Sequence, residues 1–271
     1  MSDEILTSLQ NPRVKQLVKL REPRERRKTG LTRIDGAREL LRAMQAEVEP
    51  TVVYVCEPRL RTGEPADAVA RAAHRGVAIQ PVSETVYDKI RYGDRDEGLC
   101  AVLAWSPLDL GALDPRPDAF VLVIEGAEKP GNLGAILRTA DAAGVDAVIL
   151  ADPVCEPANP NVIRASMGTL FTQPVAAAPT TEVVAWLRDH ALRAVVTRPR
   201  DGEPYTGVDL TGAVAIVLGA EHAGLSEAWA SADTTAVSIP MAGVSDSLNL
   251  AAATAVLAFE VVRQRPGRSN A

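Results

Sequence analysis

IPMAGVSDSLNLAAATAVLAFE, residues 239–260, runs from an apolar, strand-like start through a polar knuckle into a long alanine- and leucine-rich segment with no breaker. The knuckle holds Ser245, Asp246, Ser247 and Asn249 around a single apolar Leu248. The spacing predicts a strand ending near Met241 and a closing helix over about residues 248–263. Ser245, Ser247 or Asn249 could each serve as the helix N-cap. One cap accounts for one polar side chain, and four lie packed between a buried strand and a buried helix. That surplus marks a candidate site.

Two further junctions have the same build. In EGAEKPGNLGAILRTADAAG, residues 125–144, an apolar strand meets Pro130, Gly131, Asn132 and Gly134 and then a helix. Glycines there allow close approach to the backbone, and the free N–H groups of a helix start favour phosphate. The loop lacks the third glycine of a dinucleotide fingerprint, so it does not by itself identify a nucleotide site. Arg138 sits on the first turns of this helix, among Ile136, Leu137 and Ala140; a lone arginine there also fits a solvated surface group. In AIVLGAEHAGLSEAW, residues 215–229, a strongly apolar strand ends in Gly219, followed by Ala220, Glu221 and Gly224. The carboxyl edge of a parallel sheet is where such sheets bind ligands. Glu221 also fits a carboxylate answering a helix dipole.

The remainder alternates helix and strand twice over. Helices are expected over NPRVKQLVKL, interrupted at Pro23 and stopped at Gly30, and over GARELLRAM, PADAVARAAHRG and ETVYDKIRY. Strands are expected in PTVVYVC, VAIQPVS and EGLCAVLAW. This makes residues 1–104 a small α/β domain. The stretch WSPLDLGALDPRPD carries three prolines and little periodicity, so residues 105–117 read as a linker. The alternation restarts at 118 and runs to 271, with strands such as VDAVILAD of the type parallel sheets use and PNVIRASMGTLF as one helix.

Charge is unevenly spread over the 271 residues. Residues 1–104 hold 18 basic and 16 acidic side chains, whereas 105–271 hold 11 and 19. Within 13–42 there are 11 basic against 4 acidic groups, which points to a polyanionic partner or to a solvated helix face. Arg24, Arg26, Arg27 and Lys28 form the densest run. No run of about 18 uncharged apolar residues appears, so a membrane partner is not expected. Cys56, Cys100 and Cys155 are odd in number and far apart. That argues against structural disulfides or a zinc site and fits a reducing cytoplasm.

PGNLGAILRTA, GAEHAGL and IPMAGVSDSLN, in that order and spacing, resemble the three motifs of the SpoU/TrmH family of RNA ribose 2′-O-methyltransferases. The resemblance covers about residues 118–265. Through NPRVKQL, DGARELL and EGLCAVL, residues 1–104 are similar to the family's accessory RNA-binding domain, of the ribosomal-protein L30e-like kind. It implies a parallel-sheet SPOUT domain whose C-terminal segment is tied in a trefoil knot, against the general rule that chains are unknotted. It implies a homodimer, and S-adenosylmethionine as cofactor, with Leu218, Gly219, Ala220, Ile239, Met241, Ser247 and Leu248 as its contacts. Arg138 would act on the ribose hydroxyl. Asn132 and Glu221 would orient it or the nucleotide, and Ser247 and Asn249 would hold the loop or the substrate.

An alcohol is a poor nucleophile at neutral pH without help in losing its proton. Arginine is ordinarily always protonated. Arg138 would therefore either be deprotonated in a dry pocket or stabilise the forming alkoxide and grip a phosphate. Of His74, His190 and His222, His222 alone lies in a motif loop. Arg164, in NVIRASMG, fits a phosphate contact or an interdomain salt bridge. The substrate expected is RNA, ribosomal ahead of transfer, at a loop or bulge nucleotide, because helical RNA hides its base edges. A nucleotide-dependent dehydrogenase and a non-catalytic RNA-binding protein of the same fold are the rival readings.

Overall fold

The computed structural model describes residues 4–93, 95–230 and 232–265. In chain order the elements are α1 (Pro12–Lys19), α2 (Pro23–Thr29), β1 (Leu31–Ile34), α3 (Ala37–Gln45), β2 (Pro50–Val55), α4 (Glu64–His74), β3 (Ala78–Pro81), α5 (Glu84–Ile90) and β4 (Leu99–Ala104). There follow β5 (Phe120–Glu125), α6 (Pro130–Ala143), β6 (Ala147–Ala151), α7 (Pro160–Ala165), α8 (Thr169–Thr172), β7 (Val175–Ala178), α9 (Thr180–Asp189), β8 (Arg193–Thr197), β9 (Glu203–Pro204), β10 (Val214–Leu218), β11 (Thr234–Ser238) and α10 (Leu250–Gln264). They form two compact units: residues 1–106 with 156–172, and residues 107–155 with 173–271.

The first unit is built on a four-stranded mixed sheet of order β1-β4-β2-β3, antiparallel except where β3 lies parallel to β2. Asn11 caps α1 by accepting from the Arg13 N–H, and Pro12 takes the first helical position, where a missing N–H costs nothing. Val14, Leu17 and Leu20 then pack against Val86, Tyr87 and Ile90 of α5. Pro23 begins a new helix rather than merely ending the old one, and Gly30 closes that helix in the left-handed conformation at φ 67°. Arg33 of β1 is fully buried. Its Nε donates to Asp35 at 2.9 Å and its Nη1 to the Leu17 carbonyl at 3.1 Å, so one guanidinium serves a half-buried carboxylate and a helix end.

Residues 156–172 complete this unit. The sequence pattern predicts one helix there, and the structure splits it into α7 and α8 at Met167 (φ 54°) and Gly168 (φ 83°). The cause is α3. A Cβ on Gly168 would lie 2.9 Å from the Glu39 Cα, and Arg42 Nη1 donates to the Met167 carbonyl at 2.7 Å. Thr32 Oγ1 adds a bond to the Ala158 carbonyl at 2.6 Å.

The second unit is a seven-stranded sheet of order β7-β6-β5-β10-β8-β11-β9, parallel throughout. Its central strands β5 and β10 are buried at every position and apolar at all but Glu125, as burial on both faces requires. Val121 and Val123 join Trp186 and Leu187 of α9 in one cluster, and Phe120, Leu122 and Ile124 alternate onto the opposite face. Helices α6 and α10 pack on each other and on the sheet. The stretch expected as a linker is tied down along β7. Leu108 N donates to the Val175 carbonyl and Ala177 N to the Leu108 carbonyl, while Leu113 enters the core. Strands β1, β7 and β9 were not expected from the pattern. Among the described residues no helix is long and apolar enough to cross a membrane.

Arg33→Met should destabilise the chain by about 3 kcal/mol, because it strands the Asp35 carboxylate without its counter-charge. Denaturant unfolding monitored through the N-terminal unit would read this directly. A change near zero would show that Asp35 is satisfied by water.

Candidate functional site

Because the sheet is parallel, β5, β10 and β11 deliver their following loops to one edge. These loops are the three glycine-and-polar junctions of the sequence. The turn after β10 folds back on itself: Ala220 N donates to the Gly224 carbonyl at 3.1 Å and Gly224 N to the Ala220 carbonyl at 3.0 Å. Gly224 has φ 67°, and a Cβ on Gly219 would lie 2.3 Å from the Gly224 carbonyl carbon. A side chain is therefore excluded at Gly219 by backbone contact and strained at Gly224 by its left-handed φ.

Beside this turn lies a cavity of about 580 Å³, the size small-molecule sites have. All seven residues that the resemblance names for the cofactor line it, from Leu218, Gly219 and Ala220 to Ile239, Met241, Ser247 and Leu248. Glu221, His222, Asp246 and Asn249 also line it. The wall is thus apolar in part, with carboxylates and backbone groups at its edge. Thr197, which ends β8, and the following Arg198 and Pro199 contribute a side that sequence reading did not foresee.

A chain of polar contacts joins the three loops. Lys129 Nζ and Asn132 Nδ2 both donate to the Glu221 carboxylate. Asn132 Oδ1 accepts from Asn249 Nδ2 at 3.2 Å, and Asn249 Oδ1 accepts from the Ala251 N–H at 3.0 Å, capping α10. A carboxylate accepts and does not donate. Glu221 therefore fixes the orientation of the Asn132 amide, which fixes that of Asn249 in turn. Of the candidate caps, Asn249 is the one the helix uses. Lys129 was missed; its signal was a cation directly preceding the PGN turn.

Arg138 stands apart. It is exposed on α6 and does not line the cavity, and among the described residues its side chain has no hydrogen bond or ion pair. Six residues separate it from Asn132, so it leaves the helix roughly 240° around the axis from that side chain.

The basic run near the N-terminus divides by role. Arg26 is 3% exposed. It bonds Glu156 Oε2 at 2.7 and 3.0 Å and the carbonyls of Leu20 and Arg21 at 2.9 and 2.8 Å. Sequence reading expected it to contact RNA; its donors are spent on Glu156 and on the open carbonyls after α1. Arg27 is exposed and pairs with Glu156 at 3.2 Å. Arg24 and Lys28 are exposed, and among the described residues their side chains have no partner. Arg164 is half-buried and donates to Asn161 Oδ1 at 3.1 Å, with a guanidinium nitrogen against Gly93. It has no ion pair among the described residues.

Residues 119–259 match the SpoU rRNA Methylase family, and residues 11–101 match the MRM3-like substrate binding domain. A 23S rRNA (guanosine-2′-O-)-methyltransferase RlmB of Xylella fastidiosa is 33% identical over 238 residues, which is 83% of this chain and 95% of that protein. A crystal structure of an RNA 2′-O ribose methyltransferase superposes with TM-score 0.84 at 41% identity, covering 96% of this chain and 99% of that one. The AdoMet-bound rRNA methyltransferase of Sinorhizobium meliloti gives 0.86 at 29%, covering 96% and 97%.

Gly219→Ala should open the turn without unfolding the sheet, since its methyl meets backbone rather than a movable side chain. The expected result is fast amide exchange at Ala220 and Gly224 with an unchanged far-ultraviolet spectrum. Exchange as slow as in the parent would show that the turn relaxes around the methyl.

Proposed function

The chain belongs to the SpoU rRNA methylase family, and on that premise we propose that it transfers a methyl group from S-adenosylmethionine to a ribose 2′-hydroxyl of ribosomal RNA. The observation that carries this reading is that two of the motif loops line one cavity and the third is tied to them by the Lys129–Glu221–Asn132–Asn249 chain.

The residues present fit the cofactor. Leu218, Ile239, Met241 and Leu248 offer apolar surface to an adenine, and the exposed backbone of the turns offers partners to its edges. Glu221 and Asp246 suit a ligand that carries positive charge. S-adenosylmethionine, when bound, supplies a methyl group already activated by its sulfonium.

The chain must place a hydroxyl in line with that methyl and stabilise the charge left on oxygen. We assign this to Arg138, whose planar fork of N–H donors can hold a phosphate and face the forming alkoxide together. Because Arg138 lies off the cavity of its own chain, it would do so at the cavity of a second copy, in a homodimer. Asn132 and Asn249, oriented by Glu221, position the ribose, and Ser247 supports the loop. His222, at the cavity edge, is left without a role. Arg24, Arg27 and Lys28 give the N-terminal unit a cationic face for the RNA backbone, with Arg164 as a further phosphate contact.

Two more features belong to this reading. One is the trefoil knot, which the family resemblance implies for the segment 239–265. The other is a homodimer, supported by Phe259 and Val262 of α10, which stay 48% and 39% exposed.

Arg138→Ala should lower kcat by about 10²- to 10³-fold while leaving the Kd for S-adenosylmethionine unchanged. Near-parental turnover would remove Arg138 from the chemistry. Neutralising Arg24 and Lys28 together should flatten the slope of log affinity for RNA against log salt by about 2. An unchanged slope would return them to ordinary solvated groups. Mapping 2′-O-methyl nucleotides in cells with and without the gene tests the substrate. A site lost from ribosomal RNA supports the proposal, and one lost from transfer RNA instead would overturn that part of it.

A further inference from the structure

Glu125 closes strand β5 and is 6% exposed, a carboxylate at the end of five buried apolar residues. It has no place in the reaction above, yet it is saturated with donors. Its Oε1 accepts from Thr180 Oγ1 at 2.8 Å and from Ser226 Oγ at 2.7 Å. Its Oε2 accepts from the Ser226 backbone N–H at 2.9 Å and from Trp229 Nε1 at 3.2 Å. Trp229 is fully buried, so its indole N–H needs such a partner. A buried carboxylate is tolerated where donors replace the water it has lost. Here they come from two segments: Thr180 opens α9, and Ser226 and Trp229 belong to the chain leaving the 219–224 turn.

That second attachment bears on the cavity. The run from Gly219 to Ser226 is held at its near end by β10. Its far end meets Glu125 through three of the four bonds. Between the two ends lie Ala220, Glu221 and His222, all of which line the cavity. We propose that Glu125 is a positioning residue for cofactor binding, clamping the far end of the 219–226 turn so that the turn presents a preformed wall. The inference rests on the reading of that cavity as the S-adenosylmethionine site. The carboxylate itself need not touch the ligand; it acts through the turn.

Three full-length variants test this, with calorimetric S-adenosylmethionine titrations well below the melting temperature and steady-state kinetics. Glu125→Gln keeps the shape and replaces one acceptor by a donor, opposing it to donors already in place. The expected result is a Kd and a KM for S-adenosylmethionine raised by about tenfold, a larger factor than any change in the KM for RNA or the saturated kcat. Ser226→Ala removes one turn-side bond and should show the same split to a smaller degree. It decides the matter if Glu125→Gln does not fold. Thr180→Val removes the α9-side bond to the same carboxylate, so it should lower the melting temperature and leave Kd unchanged. Parental Kd in a folded Glu125→Gln, or in Ser226→Ala when the former does not fold, overturns the proposal. So does an equal weakening by Thr180→Val, which would make Glu125 a general buttress of the core. Failure of the parent protein to bind S-adenosylmethionine would sink the reading of the cavity instead.

Discussion

All seven strands of the larger sheet point the same way, and that shared direction is the constraint on which the rest depends. Parallel strands cannot be joined by short hairpins, so each hands its chain to a crossover and every loop of one kind emerges on one edge. Segments nearly 120 residues apart, Asn132 and Asn249, touch there at 3.2 Å. The apolar interior makes the edge rigid, and the glycines at 219 and 224 let its loops turn sharply enough to leave a hollow. Polarity follows the same logic. One carboxylate, Glu221, sets the direction of two amides in series, so the side chains facing the hollow have a defined donor and acceptor pattern.

Much of this was legible because burial on both faces leaves a strong mark. VAIVL and FVLVIE read as core strands without any neighbour for comparison, and α6 and α10 read as helices from their spacing. What escaped was short, small or dependent on a partner. Strand β7 is VAAA, too poor in branched side chains to signal extended structure, and β9 has two residues. The proline-rich stretch after Trp105 looked like a spacer, yet Leu108 pairs with β7 through backbone groups that no side-chain pattern reports. The break at Met167–Gly168 comes from the approach of Glu39 in α3, a tertiary cause absent from local sequence.

The site divides similarly. The three polar junctions were each ambiguous alone; their order and resemblance picked out two that line one hollow and a third whose Asn132 is bonded to both, while Arg138 lies off it. Charge counting was the weaker guide. The excess of basic groups in residues 13–42 looked like one face for a polyanion, but Arg26 and Arg33 are interior caps for the carbonyls that follow or end α1, each tied to a carboxylate. A guanidinium with five donors is suited to that task, and composition cannot separate it from a solvated cation. Arg24 and Lys28 keep the free surface that the count had credited to the whole run.

Residues 156–172 leave the larger unit and return to it, contributing α7 and α8 to the smaller one. Cutting the chain after residue 106 would therefore not release a self-sufficient catalytic fragment. Val162, Ile163, Leu170 and Phe171, buried in the intact chain, would lose the β1 and α3 surfaces they cover. Such a fragment would carry a sticky helical flap and tend to self-associate, so a truncation meant to probe RNA selection would report on solubility first.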